Sequence, residues 1–175
     1  YRMCVGSARP LEDATRIATA VTTLGAVRGV PTEHLDRRRQ RLQALLDHPD
    51  ERVRANVVEA IMALTVARPR IAPERRTDLL HGLPEENGPR VTANVAWALA
   101  GSADPGDRTL GEALLRTMLR DGAAEARCSA LWALPRIDAR TLEPEIRLAL
   151  DSTSDAAVAR RARSVLARLE GARAA

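Results

Sequence analysis

The stretch Val53-Arg54-Ala55-Asn56-Val57-Val58-Glu59-Ala60-Ile61 recurs as Val91-Thr92-Ala93-Asn94-Val95-Ala96-Trp97-Ala98-Leu99, and again as Ala126-Arg127-Cys128-Ser129-Ala130-Leu131-Trp132-Ala133-Leu134. Val158-Ala159-Arg160-Arg161-Ala162-Arg163-Ser164-Val165-Leu166 is a weaker fourth copy in the same register, and Ile17-Ala18-Thr19-Ala20-Val21 with Leu24 is a partial one near the N-terminus. The residue after the small apolar pair is Thr19, Glu59, Trp97, Trp132 and Ser164 in turn, at intervals of 40, 38, 35 and 32 residues. Drift of this kind is what a helical repeat with variable loops produces. Inside a copy the apolar residues fall three and four apart, as in Val53, Val57, Ile61 and Leu64, which marks one face of a helix and not the alternation of a strand.

Each copy is preceded by a second amphipathic segment: Leu35, Leu42, Leu45 and Leu46; Leu79, Leu80 and Leu83; Leu110, Leu114, Leu115, Met118 and Leu119; Ile146, Leu148 and Leu150. Polar breakers divide the two members of each pair, at Asp47-His48-Pro49-Asp50, Pro84 to Pro89, Asp121-Gly122 and Asp151 to Asp155. They combine helix-stopping Gly and Pro with the short polar side chains that cap a following helix. Pro69, Pro73, Pro105 and Pro135 mark turns between pairs, and Pro144 is expected to start the first helix of the last pair late or to kink it. The residues specify helix-turn-helix units in series.

Composition agrees with that reading. The 175 residues are 45% hydrophobic, carried by Leu, Ala and Val with only 2% aromatics and no Phe, a palette suited to close helix packing. All 27 basic residues are Arg, set against 23 acidic ones, and the net charge of +4 is too modest for a dedicated nucleic-acid binder. No apolar run approaches the length of a membrane helix and no signal pattern opens the chain, so a cytoplasmic protein is expected. Cys4 and Cys128 form no ligand set and no expected disulfide. The opening at Tyr1 in place of Met suggests natural ends that lie elsewhere.

The run Leu45-Leu46-Asp47-His48-Pro49-Asp50-Glu51-Arg52-Val53-Arg54, leading into Val57-Val58-Glu59-Ala60-Ile61, resembles the HEAT-repeat family, and within it the short bacterial HEAT-like repeats of phycobilisome lyase subunits. Ala130-Leu131-Trp132-Ala133-Leu134 is similar to the same repeats, and the resemblance runs from about residue 11 to 170. It implies an all-α, right-handed α-solenoid of HEAT-like helix pairs, about four pairs plus an N-terminal helix. An N-terminal extension at 1–10 would precede a repeat domain at 11–175, with second helices near 11–27, 51–67, 88–101, 123–136 and 155–170. The second helices would line the concave side. The Arg of the repeat, kept as Arg54 and Arg127 but replaced by Thr92 and Ala159, would bond turn carboxylates and carbonyls.

The function implied is a non-enzymatic protein-binding scaffold or adaptor working by equilibrium binding. Trp97 and Trp132, at equivalent positions of neighbouring copies, are candidate partner-binding anchors, with Glu59, Cys128 and Arg127 beside them. The same indoles suit sealing the groove between helices somewhat better than binding. Arg37, Arg38 and Arg41, with Arg160 and Arg163, are candidate nucleic-acid contacts, although consecutive Arg residues on a helix point in different directions. The alternative function is a nucleic-acid-binding protein related to the HEAT-like alkylpurine DNA glycosylases, which use Trp and Asp in a basic groove. An Asp beside the Trp pair is missing, since Ala98-Leu99 follows Trp97 and Ala133-Leu134 follows Trp132. No metal-ligand spacing and no catalytic fingerprint occurs around His34, His48 or His81, so neither metal nor cofactor is expected. Homo-association through an end, or continuation into further repeats, is the expected outlet for uncovered core.

Overall fold

The computed structural model describes residue 40 and residues 42–66, 88–102 and 104–174, with side chains described as far as residue 60 in the second stretch and 172 in the last. Among the described residues the secondary structure is helix and turn, with no strand. The protein is all-α. The chain divides into two compact units, Tyr1–Glu85 and Glu86–Ala175.

In the first unit a helical turn carries the buried Leu42 and Leu46 and gives way to the polar turn before α1, Glu51–Val66. Asp50 sets the start of that helix: its carboxylate Oδ1 accepts from the backbone N–H of Arg52 at 2.8 Å. Val53, Val57 and Val58 are then buried on one side of α1. The side-chain burial follows the helical spacing of the sequence.

The second unit holds five α-helices among the described residues. They are α2 (Pro89–Ala100), α3 (Pro105–Asp121), α4 (Ala124–Ala133), α5 (Glu143–Asp151) and α6 (Ala156–Ala174), with 3₁₀ turns at Leu134–Arg136 and Arg140–Leu142. Local chemistry starts four of these five helices, α4 having no side-chain cap. Pro89 and Pro105 occupy the first turns of α2 and α3, where a missing N–H costs nothing. The Asp104 carboxylate accepts from Asp107 N–H at 3.0 Å, and that of Asp155 accepts from Ala157 and Val158 N–H at 2.8 and 3.0 Å. Pro144 lies in the first turn of α5, which begins at Glu143 directly after the 3₁₀ turn, where a helix tolerates proline.

Packing joins α2 to α3 and α4, α4 to α3 and α6, and α5 to α3 and α6. One row therefore runs α2, α4, α6, and a second places α3 beside α5. Leu115 and Leu119 of α3, Leu131 of α4, Ile146 of α5 and Val158 of α6 share one core between the rows. Each such side chain contributes about 1.5–3 kcal/mol by leaving water. α3 approaches α2 closely at Gly111, where an added Cβ would stand 2.4 Å from Ala100 N and 2.6 Å from Ala96 O. Glycine is what allows α3 to lie so near α2.

An ion cluster around a buried glutamate ties α3 to α5. Glu145 is only 5% exposed, and its Oε1 accepts from Arg116 Nε at 3.1 Å and Arg120 Nη2 at 2.7 Å. Thr141 Oγ1 donates to Glu112 Oε2 at 3.0 Å, a second link between the 3₁₀ turn and α3.

Candidate functional site: a groove along α2, α4 and α6

Helical spacing places Arg90, Ala93 and Trp97 on one stripe of α2, and Glu125, Cys128, Ser129 and Trp132 on one stripe of α4. Where these stripes meet α6 they form an open groove of about 320 Å³, lined by Arg90, Ala93, Glu125, Cys128, Ser129, Trp132 and Arg161. Ala93 and Cys128 are equivalent repeat positions, and so are Ser129 and Arg161. The groove thus runs over the same surface of successive copies.

Leu99 and Leu134 are buried, while Trp97 and Trp132, two residues earlier in each copy, are half-buried. Both indoles pack against the core and meet each other edge to face, with ring centroids 6.4 Å apart and planes at 82°. The arrangement aims the positive edge of one ring at the negative face of the other. Arg136, one turn beyond Trp132, places its Cζ 3.7 Å from the Trp132 ring centroid and donates from Nη1 to the Trp132 carbonyl. The guanidinium and the Trp97 indole thus both engage the Trp132 ring.

The repeat arginines work as ties. Arg54 Nη1 donates to the carbonyls of His48 and Pro49 at 2.6 and 3.0 Å; Arg127 Nη2 donates to the carbonyl of Arg120 at 3.0 Å and its Nη1 to Ser152 Oγ at 3.4 Å. Each holds the end of the preceding helix or its turn. In one of the two copies that lack the arginine, Thr92 Oγ1 donates to Gly88 O at 3.3 Å.

Of the remaining sequence-named residues, Cys128 is a half-buried free thiol in the groove wall, and Glu59 is half-buried on α1 of the first unit. Arg160 and Arg163 are exposed on α6, but the 100° advance per residue turns them away from the stripe that carries Arg161. Arg37, Arg38 and Arg41 lie outside the described residues, as do Cys4 and His34. Arg90, Glu125, Ser129 and Arg136 carry no mark as site residues in the sequence, and Arg161 is marked there only as one of the run of arginines on the last helix. Alignment of the copies carries the signal for Arg161, which falls in one row with Ser129 and Asn94.

The Asp50 carboxyl departs from its ordinary acidity. The hydrogen bond from Arg52, reinforced by backbone N–H groups, pulls its carboxyl down to about 2. It serves the start of α1 and no site chemistry. Among the described residues no group of His, Cys, Asp and Glu could hold a metal ion, and no helix is long and apolar enough to cross a membrane.

No protein-family model, curated protein or solved structure matches the chain.

Proposed function

We propose that the chain is a HEAT-like α-solenoid module that binds a segment of another protein on the surface formed by its second helices, without chemistry. The observation that carries this reading is the groove built from equivalent positions of successive copies: Ala93 and Cys128, Ser129 and Arg161, with Trp132 in its wall. The sides of the second unit support it, since α2, α4 and α6 lie in one row and α3 and α5 in another. A repeat that presents the same surface in series makes an extended docking face. The Trp132 ring, engaged by Arg136 and Trp97, suits a rigid apolar wall better than a stacking platform.

The test compares the wild-type chain with a groove-filling Ser129→Trp variant and a charge-reversed Arg161→Glu variant, both checked for retained helicity. Proteins captured by the wild type and lost by both variants are the expected result. Tryptophan fluorescence is then followed during titration with a DNA duplex and a single strand at low and moderate salt. A salt-sensitive response to nucleic acid, with capture unaffected by the variants, overturns the reading in favour of a nucleic-acid binder.

A further inference from the structure

The residues by which one copy meets the next change character in the last copy. On α2 the members of the core shared with the later helices are Ala93, Ala96, Trp97 and Ala100, one stripe at helical spacing. The aligned residues of the next copy are Cys128, Leu131, Trp132 and Pro135, each buried or half-buried. On α6 the same positions hold Arg160, Arg163, Ser164 and Ala167, all exposed. An apolar stripe has become a polar one. Stacking a further pair on it would take two guanidinium groups out of water, which is unfavourable without carboxylate partners.

The first helices change in the same sense. Glu112 and Arg116 of α3 recur 31 residues later as Glu143 and Arg147 of α5. On α3 they bond the pair that follows: Glu112 Oε2 accepts from Thr141 Oγ1 at 3.0 Å, and Arg116 Nε donates to Glu145 Oε1 at 3.1 Å. On α5 they close on their own pair instead, where Arg147 Nη2 donates to Glu143 Oε1 at 2.9 Å and to Glu170 Oε1 of α6 at 3.4 Å. Leu148 of α5 is the exposed large apolar side chain of this pair, and a single one is ordinary surface.

We propose that α5 and α6 form the closing unit of the two helix rows, whose outward side stays in water and receives neither another pair of this kind nor a second copy of the chain. A helical array needs such a unit, because an end that keeps the apolar stripe invites association. The inference does not depend on what the groove binds.

Sedimentation of the full chain over a range of concentrations tests it. Arg160→Ala/Arg163→Leu/Ser164→Trp restores at α6 the kind of stripe found in the earlier copies, and should self-associate with a midpoint at least about tenfold lower in concentration than the wild type. The wild type and Arg160→Glu/Arg163→Glu should sediment alike. All these positions are exposed, so the variants should fold, and circular dichroism verifies it. Self-association of the wild type that disappears in the glutamate variant overturns the proposal, since the face would then be an interface between copies. A restored-stripe variant that sediments as the wild type does overturns it too, because the arginines would not be what keeps the face in water.

Discussion

Arg136 covers the indole of Trp132, its Cζ 3.7 Å from the ring centroid, while the same side chain donates a hydrogen bond to the Trp132 carbonyl. The contact joins the 3₁₀ turn at Leu134–Arg136 to the last turn of α4 and fixes one wall of the groove. Arg136→Ala is expected to cost about 0.5–1 kcal/mol, the usual worth of an exposed cation–π contact. It should also shift the tryptophan emission to longer wavelength as water reaches the ring. Thermal unfolding and emission spectra check both.

The edge-to-face meeting of Trp97 and Trp132 adds a pairwise term beyond burial. In a double-mutant cycle of Trp97→Leu and Trp132→Leu, read by denaturant unfolding, the coupling should be about 0.5–1.5 kcal/mol in favour of the pair. A coupling near zero would mean that each indole stabilises the core independently.

Gly111 and Gly171 are both helical glycines, yet alanine should act oppositely at the two. At Gly111 a Cβ would collide with backbone atoms of α2, which cannot swing aside, so Gly111→Ala should destabilise by about 1–3 kcal/mol. Nothing lies within 4 Å of a Cβ at Gly171 on α6, so Gly171→Ala should stabilise by about 0.5–1 kcal/mol through helix propensity. The melting temperatures of the two variants are the measurement.

Glu145 is 5% exposed, whereas its partners Arg116 and Arg120 are 36% and 51% exposed. Removing the arginines leaves a charge in the interior; removing the glutamate leaves two arginines that can turn to water. Arg116→Ala/Arg120→Ala should therefore cost about 3–5 kcal/mol, the range for stranding a buried charge, and Glu145→Gln clearly less. The reverse order in denaturant unfolding would show that the cluster is solvated.

Asp50 has a carboxyl lowered from its ordinary value to about 2, first by the hydrogen bond from Arg52. A depressed folded-state value contributes stability that is fully present above the unfolded carboxyl's own range near ~4. That contribution is lost as pH falls through the folded value of about 2. Acid unfolding of the wild type should steepen in this window, and Asp50→Ala should flatten it while costing about 1 kcal/mol at neutral pH through loss of the cap. A carboxyl titration followed by NMR should place the Asp50 midpoint near 2 and move it upward in Arg52→Ala.

The all-α character of the chain was legible in residues such as Val91, Val95 and Leu99, because helix periodicity dictates which side chains leave water and needs no long-range information. The asparate caps at Asp50, Asp104 and Asp155 are likewise local, each acting within three residues of itself. Even the meeting of Trp97 with Trp132 followed from their equivalence in neighbouring copies. Tertiary structure alone decided the rest. Whether an arginine ties a turn, as Arg127 does, neutralises a buried carboxylate, as Arg120 does, or borders a groove, as Arg161 does, depends on which helix packs beside it. Identical side chains carry no such label in sequence: their long, flexible stems reach partners 7 or 25 residues away, and only the packed helices select among them.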